Sequence, residues 1–324
     1  MSRWQALQRR SWWLLLGSVL LAAPLLEAGD VVLRDLAFRW RGPRPAPPQL
    51  VILEIDEASL NLADRLAPQE IAASPLWRQM GSWPWRRALQ AELAAQVLEA
   101  GAQRVLFAVL HRAPSGFGAA DDQAFERRLA PWTDRVVLLA GYNRSEAGRG
   151  VVLEQLQQPV YRLGAVGLDV LLEGATGQIE AIPGLAWQQQ VLADLPQPHP
   201  PALAFALSSG PPPRAPLGID FLGPAGTVPV VPAWTLPQLP AGFWRDRIVL
   251  IGATPSRLSD RRPSPFGPLS SVELQAAALA TVLQHRGFQP LPGPLELLLL
   301  ASWGGLAVLW LGRSSTAIAT ATRA

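Results

Sequence analysis

The apolar residues of this chain fall into three patterns. Two long runs, Ser11–Leu26 and Leu295–Gly312, are apolar on every side, the second broken only by Glu296 near its start. Four short runs punctuate the rest: Leu50–Ile55 (LVILEI), Arg104–Leu110 (RVLFAVL), Arg135–Ala140 (RVVLLA) and Arg247–Gly252 (RIVLIG). Short runs rich in Val, Ile and Leu read as strands buried on both faces of a parallel sheet. Between the first two, Leu89, Leu93 and Val97 recur every four residues. Arg86, Arg87, Gln90, Glu92, Gln96 and Glu99 fill the other positions, as on an amphipathic helix. Ser82 is placed to cap this helix, Pro84 suits its first turn and Gly101 its end. Strand, helix and strand make a βαβ unit, with a right-handed crossover.

The pattern then loosens. Asp121-Asp122 reads as the cap of a helix running through Leu129, and Ser271–His285 as a later helix. Ala58–Gly81 is a mixed insertion with weak helical signals. The stretch from Gly141 to Pro240 is rich in Pro and Gly; within it Pro201–Ser208 reads as a short helix and Ile219–Leu222 as an edge strand. The expected fold class is α/β: a mostly parallel sheet flanked by helices, bracketed by N- and C-terminal transmembrane helices.

The bracketing helices come from the two long runs. A span needs roughly 20 apolar residues, which Ser11–Leu26 approaches once the following turn is counted. Arg3, Arg9 and Arg10 precede the first run; Arg313 and Arg323 follow the second. Positive charge marks the cytoplasmic side, so both termini are expected inside and everything between outside. The division is then 1–33, tail and anchor; 34–290, an extracytoplasmic domain; and 291–324, a span and short tail. The first run could instead be a cleaved signal peptide, although Pro24 and Leu26 suit cleavage poorly. The second could be a buried C-terminal helix.

Composition narrows the functional classes. Of 324 residues 49% are hydrophobic and only 16% charged, below the usual quarter for soluble domains. All 28 basic residues are Arg, and no basic run exceeds two. The pI near 10.4 therefore comes without the concentrated basic face that nucleic-acid binding needs. There is no Cys and there are three widely spaced His, so no metal site is expected. No phosphate loop, nucleophile elbow or kinase motif occurs, and no cofactor is expected.

Asp35–Pro43 (DLAFRWRGP), Val51–Leu60 (VILEIDEASL), Trp83–Arg86 (WPWR), Gly101–Leu110, Arg247–Thr254 (RIVLIGAT) and the stretch from Asp260 through Glu273 carry a family likeness in this order. Together they resemble the type-2 CHASE domains, the extracellular sensory domains of many bacterial cyclases and kinases. The resemblance implies a sensor, not an enzyme, held in the cell membrane with its main domain outside. Two departures stand out. Phe107 is followed by Ala108 where the family usually has Asp, and Ser271–Ala277 (SVELQAA) replaces the family's usual Gly-Val-Glu-Ile-His-Ala-Asn. Family members usually continue into about three spans and a cytoplasmic catalytic domain, whereas here one apolar run and a short tail follow. The implied partners are thus the bilayer, a small ligand, and a separate membrane kinase or cyclase or a second copy of the chain.

Ligands in open α/β sheets bind beyond the carboxyl ends of the strands. Asp56 and Thr254 follow two such strands, and Arg86, Asp260 and Glu273 are expected near the same edge. These five are the candidate ligand-binding residues, with Arg86 between Asp56 and Asp260 in a shared polar cleft. Alternatively Asp56 is a loop cap and Arg86 part of a structural network. Three readings remain open: a ligand sensor, an envelope scaffold or degenerate sensor with no ligand, and a periplasmic enzyme using Asp56 and Glu273 as paired carboxylates.

Overall fold

The computed structural model describes residues 31–289 and Ser302, except 148–149, 158, 175, 194–198, 209 and 241; for 142–157 it describes the backbone alone. Both long apolar runs lie outside the described residues, Ser302 excepted. Among the described residues no helix is long and apolar enough to cross a membrane. The chain falls into two compact units, Met1–Gly287 and Phe288–Ala324. The first unit contains the sheets and the helices that pack on them.

The elements in order are helix α1 (31–41), β1 (Leu50–Ile55), α2 (Glu57–Leu60), α3 (Pro68–Ala73), α4 (Arg87–Glu99), β2 (Arg104–Leu110), α5 (Ala119–Leu129) and β3 (Val136–Ala147). Then come β4 (Gly150–Gln157), β5 (Ala165–Leu168), β6 (Leu172–Glu173), β7 (Ile179–Ile182), α6 (Leu185–Val191), β8 (Leu217–Gly218), β9 (Val230–Pro232), β10 (Ile248–Ala253), β11 (Arg261–Arg262), β12 (Leu269–Ser270) and α7 (Ser271–Leu283). The main sheet has the order β4-β3-β2-β10-β1-β9, with β5 also pairing with β3. Every pairing in it is parallel except β3 with β4. β1 and β10 are neighbours, Leu50 opposite Ile248 through Ile55 opposite Ala253. The expected α/β class with a mostly parallel sheet is therefore what the chain adopts.

Strand alternation sorts the core. Val51, Leu53 and Ile55 face α4, packing with Leu89, Leu93 and Val97, all fully buried. Leu50 and Ile52 face the other way, toward Val272, Ala276 and Leu279 of α7. Gly252 lets α7 come close: a Cβ there would lie 2.8 Å from the Val272 side chain.

Several local expectations are corrected. α4 begins at Arg87, and Ser82 does not cap it. Trp85 turns inward instead, 3% exposed, and its indole N–H donates to the Gly81 carbonyl at 2.6 Å. The cap comes from α5: the Asp121 carboxylate accepts from the backbone N–H of Arg87 at 2.8 Å and of Ala88 at 3.0 Å. Asp121 thus caps its neighbour, not its own helix, which starts at Ala119. Burial alone would raise the pKa of Asp121. Hydrogen bonds from Ser115, Ala88 and Arg87 and the charge of Arg86 outweigh it and hold the carboxyl below its ordinary value. Asp121→Ala is expected to cost about 0.5–2 kcal/mol, the usual worth of a lost cap, and Ser82→Ala close to nothing. Urea unfolding of the two variants compares them directly; a larger loss in Ser82→Ala would reverse the assignment.

Gln90, expected on a solvated face, is buried. Its side chain donates to the Trp85 carbonyl at 3.1 Å and meets His111 Nε2 at 2.9 Å. His111 sits among the rings of Phe107, Phe125 and Tyr161. Burial, with Arg87 nearby, lowers its pKa to about 3, so it is neutral at ordinary pH. Pro201–Ser208 keeps only a 3-10 turn, Leu203–Phe205. Ile219–Leu222 is not a strand; the pairing residues are Leu217 and Gly218, which join β7. Past Ile219 the backbone is drawn elsewhere: Asp220 N–H donates to Thr281 Oγ1 at 3.0 Å and Phe221 N–H to the Ile219 carbonyl at 3.1 Å. The segment is apolar because it packs beneath α1 and α7; only Ile219 still reaches β7, its N–H donating to the Glu180 carbonyl at 2.9 Å.

Candidate functional site

The carboxyl ends of the parallel strands open into two clefts, with the loop from Thr254 to Asp260 contributing to both. The first has a volume of about 620 Å³ and lies over β1, β9 and β10. Its charged lining residues are Glu54, Glu57, Arg257, Arg261 and Glu273, with Thr254, Gly226 and Val230 among the rest.

Glu54 belongs to the β1 row that begins Leu50 and Ile52, so alternation turns it toward α7, where the sheet gives way to the cleft. It is half-buried. Desolvation raises its pKa; a hydrogen bond from Thr254 pulls the other way, and the nearby charges of Asp56 and Glu273 add to the rise. Glu273, 9% exposed, is committed to the backbone. Its Oε2 accepts from Ser270 N–H at 3.0 Å and Ser270 Oγ at 2.8 Å, a capping box for α7. Its Oε1 accepts from Gly226 N–H at 3.0 Å and ties down the loop before β9. Glu57 and Arg257 pair across the rim at 3.0 Å, both more than half exposed. Such a pair adds little stability and opens easily.

The second cleft lies over β2, β3 and β5 as two adjoining hollows of about 260 and 450 Å³. Asp169, Asp260 and Ser271 line both; Gln275 and Arg262 line the smaller and Trp83 the larger.

The five sequence-chosen residues are thus distributed. Thr254 and Glu273 share the first cleft, and Asp260 lines the second. Asp56 lines neither: its Oδ1 accepts from Ser59 N–H at 2.8 Å and Ser59 Oγ at 2.5 Å, capping α2. Arg86 lines neither, and stacks over the Phe117 ring at 4.6 Å, beside Asp121. The loop-cap and structural-network alternatives describe these two residues. Asp56 and Glu273, the acids of the catalytic reading, each serve a helix N-terminus. The arginine beside the strand-end acids is Arg257, which sequence reasoning passed over, as it did Glu54. Glu54 had a signal: it is the one charged residue inside LVILEI, a run otherwise buried on both faces. Among the described residues no group of three or more acidic, His or Cys side chains could hold a metal.

One family model, described as the CHASE2 domain, matches residues 12–309, nearly the whole chain. No curated protein and no solved structure matches it.

Proposed function

We propose that this chain, which belongs to the CHASE2 domain family, is a membrane-anchored extracytoplasmic sensor that binds a small polar ligand in the Glu54 cleft and signals through a separate membrane partner. CHASE2 domains are sensory, and family membership brings that class to this chain. The anchor and the outward placement rest on the two long apolar runs and their Arg flanks. The observation that carries the ligand reading is Glu54: a half-buried carboxylate of raised pKa at a strand end, opening on a cavity within the usual size range for small-molecule sites. Its chemistry calls for a ligand with a cationic or hydrogen-bond-donating group against Glu54 and an acceptor near Arg261 or Arg257. A binding role fits better than a catalytic one because Asp56 and Glu273 are occupied as helix caps.

A thermal-shift screen of the full chain in detergent with amino acids and short amines tests this. At least one probe is expected to raise the melting temperature, and Glu54→Gln to abolish that shift while remaining folded. No shift from any probe at millimolar concentration would sink the reading and leave the ligand-free scaffold. Glu54→Gln carries a pH signature as well. The folded-state pKa of Glu54 lies above the unfolded one, so its contribution is fully present below the unfolded value, roughly 4.3, and is lost as pH rises through the folded value. The variant is therefore expected to gain stability over the wild type as pH rises from 4 to 8. A constant difference across that range would contradict the burial of this carboxyl.

A further inference from the structure

We infer that the second cleft, over β2, β3 and β5, is a binding site in its own right for a primary amine on an apolar body, the ammonium lodged against Gln275, Asp169 and Asp260. This site is separate from the Glu54 cleft and does not rest on the reading given to it. Gln275 carries the inference. It lies along α7, 3% exposed, where the residues from Leu274 to Ala280 are otherwise Leu and Ala. Its Nε2 donates to Asp169 Oδ1 at 2.8 Å. A carboxylate only accepts, so this bond fixes which way round the amide sits. The remaining Oε1 is buried and accepts no hydrogen bond from any described residue. A Leu would fill the same space with no polar atom to satisfy, and buried acceptors are rarely left without a donor. Gln275 lines the smaller hollow with Ser271 and Leu274, on one face of α7. The missing donor is therefore one that the cleft admits.

The charges say what kind of donor. Asp169, Glu173 and Asp260 line the smaller hollow against one cation, Arg262. Arg262 is engaged by Glu173 at 2.9 Å, which leaves the Asp169 and Asp260 carboxylates to favour a donor that is itself positive. Among the described residues no three acidic, His or Cys side chains are grouped as metal ligands, so the positive donor is an ammonium. Its three N–H bonds suit three acceptors, Gln275 Oε1 and the two carboxylates. The larger hollow shares Asp169, Asp260 and Ser271 and adds apolar walls from Trp83, Val109, Leu139 and Val272. At about 450 Å³ it suits a ring or short alkyl body. An amino acid fits less well, because its own carboxylate would meet the same acids.

Phenethylamine is the probe, with phenethyl alcohol and 3-phenylpropionate as its neutral and anionic counterparts. Binding to the full chain in a neutral detergent is measured by titration calorimetry. The amine is expected to bind, and the other two to bind at least about tenfold more weakly, the scale of one charge-assisted hydrogen bond. Asp260→Asn, at an exposed position that leaves folding intact, is expected to weaken the amine about tenfold on the same scale. Gln275→Leu is expected to abolish its binding and to melt no lower than the wild type, since Asp169 is exposed and water replaces the lost amide. Should Gln275→Leu fail to fold, Asp260→Asn decides alone. Glu54→Gln is expected to leave phenethylamine binding unchanged, so the two clefts stand or fall separately. No heat from the amine at millimolar concentration would overturn the inference, as would equal binding of all three probes. Loss of binding in Glu54→Gln with retention in Asp260→Asn would also overturn it, and would place the amine in the first cleft.

Discussion

Leu93→Ala is expected to lower the unfolding free energy by about 2–5 kcal/mol, the range for emptying a fully buried Leu site. Leu93 is 0% exposed and lies between α4 and the α4-facing side of β1, β10 and β2, in the same cluster as Leu53, Phe107 and Ile251. Its neighbours on the sheet belong to three hydrogen-bonded strands, so the site cannot collapse around the missing methyl groups without shifting the ladder, and the loss should fall in the upper part of the range. Denaturant unfolding of the chain in detergent measures it. A loss under about 0.5 kcal/mol, the scale of an ordinary surface substitution, would contradict the packing of α4 on the sheet.

Gly252→Val is expected to cost about 1–3 kcal/mol by overpacking and to disturb the first cleft. A Cβ at Gly252 would lie 2.8 Å from Cβ and Cγ2 of Val272 and 3.2 Å from Ala108 Cβ. Val272 adjoins Glu273, whose carboxylate ties the start of α7 to Gly226. Pushing Val272 outward therefore strains both the capping box and the cleft wall. Two measurements check this: the melting temperature, and the probe-induced shift expected at Glu54, which should weaken. Adding Val272→Ala removes the obstructing branch and is expected to recover part of the stability, an interaction between touching sites that a double-mutant cycle detects. Full additivity would show that the two side chains do not compete for the space.

The same division between near and far explains how much was legible beforehand. Strands β1, β2 and β10 and helices α4 and α7 could be read because a residue's place in the core leaves a mark at fixed local spacing, two in a strand and 3.6 in a helix. The first part of β3, Val136–Ala140, was legible for the same reason, but its extension into the hairpin with β4 and the small sheet of β6, β7 and β8 were not: they lie in a Pro- and Gly-rich stretch, and the strands of the small sheet are only two to four residues long. Gln90 was misread because its amide is satisfied by His111, 21 residues away, and that pairing leaves no periodic trace. Of the five chosen site residues, Thr254 and Glu273 were placed together, while Asp56 and Arg86 went to local caps and stacking.

The sequence by itself determined the strands β1, β2 and β10, the start of β3, the helices α4, α5 and α7, the mostly parallel α/β class, the family and the two long apolar runs, because each is written in the local spacing of apolar side chains or in motifs along the chain. Tertiary structure alone decided that Asp121 caps a helix 34 residues upstream, that Glu54 faces α7 at the edge of a cleft, and that Gln275 of α7 meets Asp169, 106 residues away. These depend on which donors, carboxylates and apolar faces meet across the fold. That is a property of distances between residues far apart in the chain, and no local pattern records it.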